Sequence, residues 1–209
     1  MLVTCSRNNT YNIVAGSIRE QKKVGILALQ GDVELHAQAL AGLGFQARIV
    51  KKTIELIDLD GLVIPGGEST ALLRLAESIG MLSAIVNFAK SGGSIFGTCA
   101  GAIILAHHVS NPHQQSLRLI DIAIERNGYG RQINSQETFG QAFLPLGTDK
   151  IPTVFIRAPR ITKTGKSVTI LATYKNEPVL VQQAKIMAAT FHPELQSNST
   201  VYEYWLKQL

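Results

Sequence analysis

Two short segments of this chain carry residue types at spacings that suit nucleophilic chemistry. Gly97-Thr98-Cys99-Ala100-Gly101 sets a thiol between two glycines, after Ser94-Ile95-Phe96 and before Ala102-Ile103-Ile104-Leu105-Ala106. An apolar strand giving way to a helix at such a point predicts a nucleophile elbow, a sharp turn that presents one reactive side chain in a strained conformation. The helix N-terminus beside the thiol would favour the attacking thiolate. Phe191-His192-Pro193-Glu194-Leu195 supplies a base. His192 follows the apolar run Met187-Ala188-Ala189-Thr190-Phe191, so it should stand at a strand end, where α/β folds build their sites. Pro193 biases His192 toward extended backbone, in which Glu194, two residues on, would face the same side and orient the imidazole. Acyl transfer also needs donors for a developing oxyanion. The backbone N–H of Ala100, next after the thiol, is one; Gly66-Gly67 offers a second, because glycine lets backbone approach a ligand closely. The remaining histidines, His36, His107, His108 and His113, read as surface or helix-end residues.

The elements needed to position these groups form an alternating pattern. Lys23–Leu29 is a short, nearly all-apolar run and reads as a buried strand. Asp32–Leu43 has helical spacing, with Asp32 as N-cap and Gly42 and Gly44 at its stop. Phe45–Val50 and Gly61–Ile64 return as strands. Pro65-Gly66-Gly67-Glu68-Ser69-Thr70 ends the latter, and a helix starting at Ser69 or Thr70 carries Leu72, Leu73, Leu75 and Ala76. Met81–Lys90 is a second helix, leading through Ser91-Gly92-Gly93 to the strand before Cys99. This rhythm implies parallel pairing through right-handed crossovers. Further on, Leu117–Ile124 alternates apolar and polar residues and Asn127-Gly128-Tyr129-Gly130 is a turn-rich break. Strands are expected at Thr153–Ile156, Val168–Tyr174, Pro178–Gln182 and Lys185–Phe191, with a hairpin at Lys175-Asn176-Glu177, and Ser199–Leu209 closes the chain as a helix.

Composition narrows the class. The 209 residues suit one α/β domain, and no apolar run approaches the roughly 20 residues of a membrane span. Met1–Gln21 is interrupted by Arg7, Asn8, Asn9 and Asn12, so it does not read as a signal peptide. It is expected to be a disordered arm outside the 22–209 domain, and a cytoplasmic protein follows. Cys5 and Cys99 are the two cysteines, too few and too far apart for a zinc site, and a disulfide between them is not expected. The net charge of +5 is spread in pairs such as Lys22-Lys23 and Lys51-Lys52 without aromatic interleaving, so a solvated surface is expected rather than a nucleic-acid site.

The three motifs Pro65–Thr70, Phe96–Gly101 and Phe191–Glu194 resemble the signatures of class I, triad-type glutamine amidotransferases. Leu29-Gln30-Gly31, Gly67–Thr70, Glu125-Arg126-Asn127-Gly128-Tyr129-Gly130-Arg131-Gln132 and Phe155-Ile156-Arg157-Ala158-Pro159 resemble one branch, the glutaminase subunits of two-component pyridoxal 5′-phosphate synthases. The similarity runs from about Lys22 to Leu209. It implies a three-layer, flavodoxin-like α/β fold with a central mixed, largely parallel sheet. It implies that Cys99 attacks the side-chain amide of L-glutamine, that His192 moves the proton, that Glu194 holds His192, and that Gly67 and Ala100 form the oxyanion hole. Gly67, Glu68, Ser69, Arg126, Ile156 and Arg157 match the family's glutamine-holding positions. On their own the two arginines read as surface charge. Gln30 matches a position near the oxyanion region and the partner interface. The implied partner is a (β/α)8-barrel synthase subunit in a heteromeric complex, joining ammonia to ribose 5-phosphate and glyceraldehyde 3-phosphate; neither metal nor bound coenzyme is needed by the glutaminase chemistry. The alternatives are a glutaminase subunit serving another pathway, or a non-catalytic regulator with this fold. The chain departs from the family's pattern in its longer arm, in Leu35 between Glu34 and His36, and in Gln136 after Ser135, where an aromatic is common.

Overall fold

The computed structural model describes residues 22–128 and 137–209. The arm with Cys5, the Tyr129–Gln132 end of one motif and Ser135-Gln136 lie outside the described residues.

Five short strands make the parallel part of a nine-stranded sheet: β1 (Val24–Leu27), β2 (Arg48–Val50), β3 (Gly61–Ile64), β4 (Ser94–Thr98) and β12 (Ile186–Ala189), in the order β2-β1-β3-β4-β12. Register carries Val63 opposite Phe96, and Phe96 opposite Met187. Four further strands continue the sheet antiparallel: β11 (Glu177–Gln183), β10 (Thr169–Tyr174), β7 (Glu137–Ala142) and β8 (Lys150–Val154). A small second sheet holds β5 (Ala106–Ser110), β6 (Ile120–Glu125) and β9 (Arg160–Thr164).

Side chains alternate across the large sheet and divide the core into two layers. Leu62, Ile64, Ile95 and Ala188 face one side, packed with Leu72 and Ala76 of α2 (Ser69–Ser78), Met81, Ile85 and Phe88 of α3 (Met81–Lys90), α4 (Ala100–Leu105) and the small sheet. Val63, Phe96, Met187 and Ala189 face the other, against Leu40 of α1 (Val33–Gly42) and Val201, Tyr202 and Trp205 of α5 (Thr200–Leu206). The three-layer α/β fold implied by the resemblance is therefore present. Every residue of β1, β3, β4 and β12 is buried, which is why β1, β3 and β12 read as continuous apolar runs rather than alternating ones, while β4 adds buried Ser94 and Thr98. Among the described residues no single helix is long and apolar enough to cross a membrane; α2 and α3 meet at a 91° bend.

The expected elements are mostly found, with shorter ends. The β3 strand and the α3 helix have the expected bounds, and the β10–β11 hairpin turns at Lys175 and Asn176, both at positive φ. Asp32 holds the N-cap position of α1, but its side chain makes no capping hydrogen bond. Of Phe45–Val50, three residues pair. The strand expected at Thr153–Ile156 lies earlier, as β8, which leaves Phe155, Ile156 and Arg157 in the loop that follows. Strands β5, β7 and β9 had no expectation: β5 and β9 are short and carry polar, solvent-facing residues, including His107, His108, Thr162 and Lys163.

Candidate active site

The C-terminal ends of β1, β3, β4 and β12 converge on one cleft of about 380 Å³. Its lining includes Gln30, Gly67, Glu68, Ser69, Cys99, Arg126, Ile156, Arg157 and His192, so all but two of the expected site residues line it. The other two adjoin it: Ala100 is buried as the first residue of α4, and Glu194 is buried behind His192. A larger hollow of about 580 Å³ lies by the opposite strand ends, near Asp58, Asp60 and Lys185, and has neither cysteine nor histidine in its wall.

Cys99 has the elbow conformation. Its φ of 48° and ψ of −102° are strained for a residue with a Cβ, and it is the cap residue of α4. Its backbone N–H donates to Ala189 O at 2.8 Å, tying the nucleophile strand to the strand that leads to His192. Close packing fixes the turn. A Cβ on Gly101 would lie 2.1 Å from the Ile64 carbonyl oxygen, so only glycine lets α4 start against β3.

The base and acid arrive differently from expectation. Glu194 does not reach His192 through extended backbone; Pro193–Leu195 forms a 3₁₀ turn after the β12 end. The turn still brings the groups together, with His192 Nδ1 2.7 Å from Glu194 Oε1. His192 N–H also donates to Val154 O at 2.9 Å, which links this loop to the end of β8. The side chains of His192 and Glu194 are almost wholly buried. Burial on its own would lower the His192 pKa. Hydrogen bonding to Cys99 and Glu194, reinforced by their negative charge, outweighs it and raises the pKa to about 10. The Glu194 carboxyl is held below its usual value: burial opposes ionisation, but the His192 hydrogen bond and the neighbouring histidines prevail. The arrangement favours an imidazolium at His192 paired with an ionised Glu194, next to Cys99.

The Pro65–Thr70 segment crosses over this pair. A Cβ on Gly66 would meet His192 Cε1 at 2.6 Å and Cys99 Cβ at 3.3 Å. Gly67 has φ of +140°, a conformation that L side chains rarely adopt, and a Cβ there would meet Gln30 Oε1 at 3.0 Å. Gln30 Oε1 accepts from Glu68 N–H at 2.9 Å, which pins the loop to the end of β1. The Glu68 carboxylate caps α2, accepting from Thr70 N–H at 3.0 Å and Ala71 N–H at 2.7 Å. Although desolvation works against it, these bonds and Arg126 keep the Glu68 pKa low. Arg126 from the end of β6 lies 3.5 Å from Glu68 Oε1 and donates to Thr70 Oγ1 at 2.9 Å. Arg157 is exposed at positive φ on the loop after β8, beside half-exposed Ile156. Ser69 Oγ is turned to Gln114 Oε1 at 2.9 Å.

Besides Ile103 of α4, which lines the cleft, three polar site residues escaped the sequence reading. Asp32, seen there as a cap alone, lines the cleft, as does Asn127. Asp32, His192 and Glu194 bring one potential ligand atom each to within 4.8 Å of one another, but a hydrogen bond already joins two of the three. Gln114 sits in the polar stretch Asn111–Ser116, whose composition gives no sign of a role. A further expectation is overturned. His36 is not a surface histidine: it is fully buried, because α1 turns it inward against Tyr202 and the end of β4. His107, His108 and His113 are exposed, as expected.

Fold and site together have the form of a class I glutamine amidotransferase. Residues 26–209 match the SNO glutamine amidotransferase family. Among curated relatives, the pyridoxal 5′-phosphate synthase subunit PdxT of Thermotoga maritima is 46% identical over 188 residues, covering 90% of this chain and 99% of that one. The subunit of the same name from Koribacter versatilis is 46% identical over 187 residues, covering 90% and 95%. A solved structure described as a glutamine amidotransferase superposes with a TM-score of 0.83 at 40% identity, covering 88% of this chain and 97% of that one. A chain of PurLQS from Thermotoga maritima shares the fold, with a TM-score of 0.66 at 16% identity over 89% of this chain and 98% of its own. The chain belongs to the SNO glutamine amidotransferase family.

Proposed function

We propose that this chain is the glutaminase subunit of a pyridoxal 5′-phosphate synthase, and that Cys99, His192 and Glu194 carry its chemistry. The observation that supports this most directly is the buried His192–Glu194 hydrogen bond of 2.7 Å beside a strained thiol at an elbow. In this reading the Cys99 thiolate attacks the side-chain carbonyl carbon of L-glutamine. The tetrahedral oxyanion is received by the N–H groups of Gly67 and Ala100. His192, already protonated by its pairing with Cys99, delivers its proton to the leaving nitrogen. Ammonia departs and a glutamyl thioester remains. Water, deprotonated by His192, then hydrolyses the thioester to glutamate and restores Cys99. Glu194 keeps the imidazole oriented and its charge compensated throughout. Arg126 and Arg157, with Glu68, Ser69 and Ile156, hold the substrate's amino-acid end; a guanidinium suits an α-carboxylate because it binds bidentately.

The ammonia passes to a synthase subunit, a (β/α)8 barrel, for coenzyme assembly in the cytoplasm. Direct transfer matters because ammonia released into neutral water becomes ammonium and ceases to be a nucleophile. In this reading Gln30, which braces the Gly67 loop from the end of β1, reports partner binding to the oxyanion hole. The 22–209 segment is the catalytic unit. The test is glutamate release by the chain alone and with the synthase, for wild type and Cys99→Ala. Glutaminase activity that is stimulated by the synthase and lost in Cys99→Ala is expected. Activity unchanged in Cys99→Ala would end the catalytic reading, and stimulation by a different synthase alone would end the pathway assignment.

A further inference from the structure

Behind the triad lies a second histidine that the proposed reaction does not use. His36 is fully buried on α1, and its two ring nitrogens meet different partners. Nδ1 is 2.6 Å from the Tyr202 hydroxyl of α5, and Nε2 is 3.2 Å from Thr98 Oγ1, the residue just before Cys99. Nε2 is also 3.6 Å from Glu194 Oε1, the same oxygen that holds His192. We propose that His36, anchored by Tyr202, is a positioning residue of the triad, aiming an N–H dipole at the Glu194 carboxylate so that this group stays ionised and correctly turned toward His192. The inference rests on the glutaminase reading above.

The charges around the pair decide the tautomer. Glu194, His192 and Asp32 are the ionisable groups that act on His36 besides Tyr202. Burial, the largest influence, together with the nearby His192 keeps His36 neutral against the pull of Glu194 and Asp32, so the ring carries one proton. A lone pair on Nε2 would face a carboxylate oxygen and repel it, whereas an Nε2–H points its positive end there. That tautomer needs a donor to Nδ1. Tyr202, whose hydroxyl is held protonated by burial, supplies it. At 3.6 Å the Glu194 contact is a charge–dipole interaction, with the hydrogen bond itself going to Thr98 Oγ1. In a dry site such a contact is weakly screened and has a strong effect on a carboxylate. An imidazole costs desolvation wherever it is buried, so packing alone would be served better by an apolar side chain. The ring also joins α1, β4, α5 and the Pro193–Leu195 turn at one point, fixing the acid of the triad relative to the nucleophile strand.

The experiment compares His36→Leu, His36→Gln and Tyr202→Phe in complexes reconstituted with the synthase, with wild type and Cys99→Ala as references. Wild type active and Cys99→Ala inactive establishes the underlying reading independently; the reverse would overturn that reading and not merely this one. His36→Leu should lower kcat about 10- to 100-fold with KM for glutamine within about twofold, because only the orientation of the triad is lost. It should also move the acid limb of the kcat profile to higher pH, since Glu194 then accepts a proton more readily. His36→Gln keeps an N–H near the Nε2 position and should restore most of the rate and the acid limb. Tyr202→Phe should shift the acid limb in the same direction with a smaller loss. If His36→Leu fails to fold, His36→Gln and Tyr202→Phe decide between themselves. An unmoved acid limb in Tyr202→Phe or His36→Leu, or a loss that appears only in KM or only as lowered Tm, would overturn the proposal.

Discussion

In the parallel half of the large sheet, strand ends present Cys99, His192 and the Gly66-Gly67 loop above them, and the side chains of Cys99, His192 and Glu194 are buried in close packing. Cys99, His192 and Glu194 are at most 6% exposed, and the glycines around them leave no room for a methyl group. The antiparallel half and the small sheet contribute to the same cleft from the other side, through Arg157 on the loop after β8 and Arg126 after β6. Those residues sit at strand ends bordering solvent, and Phe139 of β7 is 63% exposed. On the proposed reading this contrast divides the labour: the parallel half holds the reacting atoms, and the antiparallel half and small sheet add the arginines that join Glu68 and Ser69 in holding the substrate. Mutations in the two halves should therefore fail in different kinetic parameters.

The largest effect expected is from Cys99→Ala, which should lower glutaminase kcat by about 10⁴-fold or more while leaving the fold intact. Circular dichroism and glutamate release on the same preparation check it. Next comes the crowding at Gly66. Gly66→Ala drives a methyl group into the His192 ring and should cost about 100-fold in kcat, since about 1 Å of misplacement is enough to disable a base. Gly101→Ala instead collides with the Ile64 carbonyl and should cost stability, on the order of 1–3 kcal/mol or more by urea unfolding. A Gly66→Ala variant with wild-type kcat would break the claim that the parallel half has no slack.

Across the cleft, Arg126→Ala should raise KM for glutamine by about tenfold or more with kcat little changed, because a charged hydrogen bond to substrate is made before and during reaction alike. A loss confined to kcat would move Arg126 from substrate holding to chemistry and dissolve the proposed division.

The same contrast explains what was readable from the sequence. The parallel half announces itself: fully buried strands such as Val24–Leu27 and Gly61–Ile64 are unbroken apolar runs, and Cys99 and His192 follow buried, largely apolar segments. Strands β5 and β9 show no such run, because one face meets solvent and residues such as His107 and Lys163 break the pattern. Within the site, Glu194 pairs with His192 although the predicted extended geometry is replaced by a 3₁₀ turn, since proximity in sequence keeps the pair together either way. His36 was misread because its value lies in contacts with Thr98, Glu194 and Tyr202, up to 166 positions away, and helical periodicity marks which face is buried but not what waits there. The arginines needed the family resemblance for the same reason.

Stability should titrate with the catalytic pair. The His192 pKa is raised from 6.5 to about 10 in the folded protein, so the native state keeps a proton that the unfolded chain releases. This contribution is complete below about pH 6.5 and is lost as pH rises toward about 10. Cys99 is one of its causes, so unfolding free energy should fall less steeply over that range in Cys99→Ala than in wild type. Parallel slopes in urea unfolding series would show that the thiol and imidazole are not coupled.

The smallest effect should come from the exposed turn of the antiparallel half. Lys175 and Asn176 turn the β10–β11 hairpin with φ of 50° and 64°, the pair of positive values that a type I′ turn requires. Both are exposed, and neither lines the cleft. Glycine adopts φ of 64° without steric cost, so Asn176→Gly relieves backbone strain but gives the unfolded chain more freedom to lose. Because asparagine already tolerates this region, the two effects nearly offset, and the change should stay within about 0.5 kcal/mol. Kinetics should not move at all. If kcat or KM shifted with Asn176→Gly, strain would be passing from the hairpin through β11 and β12 to His192, and the two halves would have to be treated as one mechanical unit.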